Sequence, residues 1–191
     1  MIRTTSVCIC ILAATMFSGV AERPQTYRNN EFGITLPIPN GVMLCPNSED
    51  VHDHGPLMLL GSTNVKRCTD AEWGRYIEVF GMGNAADATK TLDKFFQSSC
   101  ADPDTGEGEC GPPPPDLQIP GMEIAAGTVK HANGWADIIV VTQGGKLDPA
   151  FDASVPSINY VIRLRVNEAH RETDLRIFRT VLQTIRLSPA R

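Results

Sequence analysis

The sequence has no basic excess. Its 17 Lys and Arg face 22 Asp and Glu, for a net charge of −5 and an isoelectric point near 5.3. A nucleic-acid binder ordinarily needs a clustered basic surface, so that class is excluded. No apolar run is long enough for an ordinary membrane span, which takes about 20 residues. The motifs of common catalysis are missing too. There is no G-x-S-x-G, no H-E-x-x-H, and no S-x-x-K with its companions. Gly81-Met82-Gly83 and Gly144-Gly145 lack the G-x-G-x-x-G context of a nucleotide site. What the chain does have is 42% hydrophobic residues in 191, enough to fill the core of one domain.

The first residues, MIRTTSVCICILAATMFSGVA, read as an export signal. Arg3 leads, an apolar stretch runs from Val7 to Phe17, and small residues follow, with Gly19 and Ala21 at the −3 and −1 places. Cleavage is expected near Ala21, which assigns 1–21 to a signal peptide and 22–191 to a single mature domain. Cys8 and Cys10 lie inside the apolar stretch, where they do not serve as lipidation sites. The signal removes one Arg and no acid, so the mature net charge moves from −5 to −6.

Cleavage also changes the cysteine count. Six become four: Cys45, Cys68, Cys100 and Cys110. Four cysteines in an exported chain fit two disulfides. No close CxxC-like pair is present, which argues against a zinc site. Of the three pairings, Cys45–Cys68 with Cys100–Cys110 is favoured, because each closes a local loop without crossing the other.

The patterning gives strands, a helix, more strands and a final helix. Phe32–Leu36 alternates with period two and is stopped by Pro37 and Pro39. Gly41–Cys45, Leu57–Leu60 and Arg75–Phe80 are further strands, the last bounded by Gly74 and Gly81. From Asp87 to Ser99, Ala88, Leu92, Phe95 and Phe96 recur at helical spacing, with Asn84 as the expected cap. Met122–Lys130 and Trp135–Thr142 flank Asn133-Gly134, a hairpin signal. In Ser157–Asn167, Ile158, Tyr160, Ile162, Leu164 and Val166 alternate with the other face. A helix of about Thr173–Leu187 closes the chain, capped by Thr173. Between the blocks, 101–120 is an irregular surface loop rich in acids, glycine and proline. Hairpins plus two amphipathic helices give an α+β class: a twisted antiparallel sheet with the helices packed on it.

Tyr27-Arg28-Asn29-Asn30-Glu31-Phe32-Gly33, the phrase FGITLPIP and the closing TVLQTIRL carry a resemblance. In this element order the chain resembles the PsbP-like fold, and small exported bacterial proteins of that build, including some immunity proteins. The resemblance implies a scaffold and no catalytic residues. The four cysteines and the proline loop are no part of it.

Candidate functional residues are few. His52-Asp53-His54 is the densest group of metal-ligand types, although beside Gly55-Pro56 it also reads as a polar loop. His131 and His170 are expected to be solvent-exposed. Asp102, Asp104, Glu107 and Glu109 suggest calcium, but the EF-hand spacing fails because Glu107 stands where a glycine is required. Two features could carry recognition: the acidic, disulfide-closed loop with those four carboxylates, and a cationic strip from Arg163 and Arg165, which share a strand face. The expected function is that of a periplasmic, non-enzymatic binding protein without a cofactor. In its most concrete form it is an inhibitor or immunity protein that neutralises a toxin or cell-wall hydrolase, whose cationic surface would steer towards an acidic partner. The alternatives are an accessory subunit of an envelope complex, or a metal-dependent hydrolase using His52 and His54.

Overall fold

The computed structural model describes residues 25–45, 53–61, 68, 74–84, 91–101, 109–131, 134–144 and 157–187. The expected signal peptide lies outside these. In chain order the elements are β1 (Thr26–Asn29), β2 (Ile34–Pro37), β3 (Val42–Cys45), β4 (Leu57–Leu60), β5 (Tyr76–Gly83), α1 (Leu92–Cys100), β6 (Ile124–Lys130), β7 (Trp135–Gly144), β8 (Ile158–Asn167), α2 (Arg171–Thr184) and β9 (Arg186–Leu187).

The strands form two sheets rather than one. A six-stranded sheet has the order β3-β4-β5-β8-β7-β6, and a three-stranded sheet has β1-β2-β9. Every pairing between these strands is antiparallel. The class is α+β, as the patterning predicts. Among the described residues, no helix is long and apolar enough to cross a membrane.

Period-two patterning places the main core. Ile158, Tyr160, Ile162, Leu164 and Val166 of β8 are all buried on one face, with Ile138 and Val140 of β7 and Ile77 and Val79 of β5 beside them. Leu175, Phe178, Val181 and Leu182 of α2 cover this face, together with Ile34 and Leu36 of the small sheet. Helix α1 covers part of the opposite face, where Phe95 packs on Ile139, Val141 and Val161.

The Tyr27–Gly33 phrase has a structural cause. Asn29 Oδ1 accepts from the Phe32 amide at 2.9 Å, which fixes the β1–β2 turn, and Gly33 supplies the positive φ of 64° that ends it. Phe32 then lies against Gly81, where a Cβ would come within 2.9 Å of its ring. The Tyr160 hydroxyl donates to the Phe32 carbonyl at 2.7 Å and ties this turn to the main sheet. Burial of that hydroxyl disfavours the phenolate and raises its pKa.

Strand β2 includes Pro37, expected to stop it, and β5 continues past Gly81 to Gly83; three helix boundaries also differ from the sequence reading. Helix α1 is capped by Thr91, whose Oγ1 accepts from the Lys94 amide at 3.4 Å. Asn84 is not a cap: it is buried, and its Nδ2 donates to Ser157 Oγ at 3.0 Å, joining the ends of β5 and β8. Helix α2 begins at Arg171 and leaves Thr173 inside its first turn. It stops at Thr184 because Ile185 turns to extended geometry (φ −59°, ψ 140°). Arg186 and Leu187 then pair with Thr35 and Ile34. The second edge of β2 captures Arg186 and Leu187, and helical periodicity in TVLQTIRL gives no sign of that.

Both disulfides have the pairing favoured above, Cys45–Cys68 and Cys100–Cys110. The second packs on β6 where Gly127 leaves room. A Cβ there would fall 2.4 Å from Cys110 Cβ and 2.9 Å from the Phe96 ring.

Candidate functional site

The register aligns side chains in rows on the α1 face of the main sheet. One row holds Phe80, Val161 and Val141, and the next holds Glu78, Arg163 and Ile139. The row beyond holds Tyr76, Arg165, Asp137 and Val129. Helix α1 covers the apolar row. Past its C-terminal end the face turns charged, and a cleft of about 860 Å³ opens there. Its lining includes Cys100, Glu109, Lys130, His131, Asp137, Arg163 and Arg171. The Cys100–Cys110 disulfide and the Gly111–Thr128 strand bridge form one rim.

The floor is a mixed-charge network. Arg163 Nη1 lies 3.6 Å from Glu78 Oε2 across the β5–β8 pair. His131 Nε2 lies 3.0 Å from Asp137 Oδ2 across the β6–β7 hairpin. The Arg165 guanidinium sits 5.7 Å from the centre of the Trp135 ring, a cation–π distance. Burial pushes the Glu78 carboxyl above the usual carboxylate range, Asp137 pushes it further, and Arg163 pulls against both.

A raised folded-state pKa means that the folded protein holds the Glu78 proton more tightly than the unfolded chain does. The stability contributed by neutral Glu78 is therefore present below its ordinary pKa and is lost as pH rises through the raised one. Glu78→Gln removes this dependence. Urea unfolding at intervals from pH 4 to pH 8 should show the variant gaining on the parent as pH rises. A constant difference over that range would contradict the assignment.

Arg163 and Arg165 share a face, as expected, but they are not a free cationic strip. Arg163 is ion-paired with Glu78, and Arg165 is stacked on Trp135. Glu78 and Asp137, in register on the adjacent strands, keep the face mixed in sign. Of the loop acids, Glu109 is exposed and lines the cleft, while Asp102, Asp104 and Glu107 lie outside the described residues. Glu109 and Arg163 thus line one cleft.

His54 takes a packing role. Its Nδ1 lies 2.9 Å from the Gly81 carbonyl oxygen, and its ring stacks on Phe80 at 4.7 Å and leans on Phe32 at 5.0 Å. His52 lies outside the described residues, and no group of His, Cys, Asp and Glu suited to a metal occurs among the described ones. His170 is exposed, as expected, with Nδ1 2.9 Å from Asn167 Oδ1. His131 is exposed too, but its pairing with Asp137 was not foreseen. Glu78, Asp137 and Trp135 were also missed. Their signal was a charge inside an apolar run, Asp137 in WADIIVV above all.

No family model matches the chain, and no curated protein does. Among solved structures it is similar to the solution structure of cyanobacterial PsbP (CyanoP) from Synechocystis sp. PCC 6803. The identity is 12% and the TM-score 0.45, over 89% of this chain and 96% of that one. The α+β assignment rests on the strands, helices and register described above.

Proposed function

We propose that this is an exported, non-enzymatic binding protein that engages a protein partner at the α1-side cleft. In its most concrete form it is a periplasmic inhibitor or immunity protein for a toxin or cell-wall hydrolase. The observation that carries the reading is the cleft itself. A disulfide-closed rim holds Glu109 beside a floor of paired charges. Such a rim loses little entropy on binding. The charged rows favour a partner with a matched pattern of charges over a bare apolar surface.

Two further points support it. Disulfides belong to oxidising compartments, which suits export. The cleft's Ser99 and Thr128 hydroxyls donate to the backbone carbonyls of Phe95 and Pro112, at 2.9 and 3.0 Å, so neither is set against His131 as a nucleophile. The test is genetic. Cells lacking the gene are expected to be killed more readily by sibling cells, and the intact gene in trans is expected to restore survival. Unchanged survival of the deletion strain would sink the immunity reading.

A further inference from the structure

Four consecutive prolines, Pro112–Pro115, follow the Cys100–Cys110 disulfide. Each ring fixes φ near −65°, and each proline that precedes another is confined to extended geometry. With no cis peptide bond among the described residues, the run is a turn of polyproline II helix. That helix has threefold symmetry, with about 3 residues per turn and 3.1 Å of rise per residue. Pro112 and Pro115 therefore share one edge, Pro113 forms the second and Pro114 the third. The exposure follows this geometry: Pro112, Pro113 and Pro115 are exposed, and Pro114 is half-buried. Two of the three edges face solvent.

Both ends are pinned. Gly111 and Thr128 exchange backbone hydrogen bonds at 2.9 and 3.0 Å, and Thr128 Oγ1 donates to the Pro112 carbonyl at 3.0 Å. At the far end Arg179 Nη2 of α2 donates to the Pro115 carbonyl at 3.3 Å. Asp116 then leaves the ridge with a positive φ of 62°, and Ile119 returns to the core. A solvent-facing apolar ridge held at both ends is more than a loop needs in order to connect two elements.

We propose that Pro112–Pro115 is a preformed docking ridge for an aromatic-lined groove on a partner protein. Prolines one turn apart, as Pro112 and Pro115 are, seat in adjacent slots between aromatic side chains, and the rigid helix binds at low entropic cost. Pro112 also lines the cleft, so a partner on the ridge extends naturally into it. The ridge goes beyond the cleft reading and stands without it.

The test uses purified SH3, WW and EVH1 domains as groove probes, titrated into the isotope-labelled mature protein. At least one class is expected to bind and to shift the amides of Gly111, Asp116 and Leu117. Pro112→Ala/Pro115→Ala is expected to weaken that binding at least tenfold while the thermal midpoint stays within a few degrees of the parent. Pro114→Ala, on the inward edge, should weaken it far less. Absence of shifts with every class at millimolar probe, or equal binding by the double variant, would overturn the proposal.

Discussion

Gly55→Ala is expected to lower stability by about 4 kcal/mol. That figure combines ~1–3 kcal/mol of backbone strain with ~1–3 kcal/mol of overpacking. Gly55 is buried, with φ of +146°, a region only glycine occupies freely. A Cβ there would fall 2.0 Å from the Val79 carbonyl oxygen, and backbone cannot yield as a flexible side chain can. The short segment around it does more than connect. His54 and Pro56 carbonyls accept from the Gly81 and Val79 amides at 2.8 and 3.0 Å, which fastens the segment along β5. Asp53 accepts from the Tyr27 hydroxyl at 2.6 Å and so brings in the small sheet. Displacing Gly55 loosens both attachments. A domain of this size loses roughly 2–4 °C in Tm per kcal/mol, so a fall on the order of 10 °C is expected in a thermal melt. Gly121→Ala is the control. Its φ is +77° with nothing within 4 Å of the added Cβ, and its cost should stay near ~1–2 kcal/mol. Equal losses at the two sites would refute the steric account.

Asp174→Ala is expected to cost about 3–5 kcal/mol, the range for breaking a buried ion pair from one side. Asp174 is 1% exposed at the start of α2. Arg75 Nη1 reaches its two carboxylate oxygens at 2.9 and 3.0 Å. The pair joins the entry of β5 to the helix that covers the main core. Burial pushes the Asp174 carboxyl upward, and Arg75, with a smaller part from His170, pulls it down without cancelling the rise. The carboxylate is therefore held at some cost, and the alanine penalty comes mainly from the Arg75 charge left behind. Arg75→Met/Asp174→Leu should then recover most of the loss in urea unfolding. A double variant no more stable than Asp174→Ala would show that the pair itself, rather than the stranded charge, sets the penalty. Because the folded-state pKa is raised, the stability from neutral Asp174 is present at acid pH and is lost as pH rises through that pKa. The pH profile of the Asp174→Leu background should lack this component.

The sequence by itself determined a good deal. Alternation, short apolar runs and the Asn133-Gly134 hairpin signal located seven of the nine described strands, with β2 overlapping Phe32–Leu36 and β8 in Ser157–Asn167. Local loop closure gave both disulfides, because Cys45 with Cys68 and Cys100 with Cys110 are neighbours along the chain. Alternation in β8 named its buried face correctly. Each of these depends on residues within a few turns or one short loop of one another. That is the range over which side-chain spacing constrains the backbone.

What only the tertiary structure decided depends on partners far apart in sequence. The two strands that patterning missed, β1 and β9, are the strands that β2 holds on either side. Spacing along the chain does not reveal an available edge. Arg163 and Arg165 looked like a cationic strip because their neighbours in sequence are apolar. The neighbours that engage them, Glu78 pairing with Arg163 and the Trp135 ring under Arg165, are set by strand order and register. A shift of one residue in β5 would have sent Glu78 to the other face. The cleft has the same origin. Glu109, His131, Asp137 and Arg163 come from four segments: β6–β7–β8 pairing brings the last three together, and the disulfide from the end of α1, with Cys110 against Gly127 of β6, adds Glu109. Local physics chose the elements of this protein. The pairing of distant strand edges placed its charges.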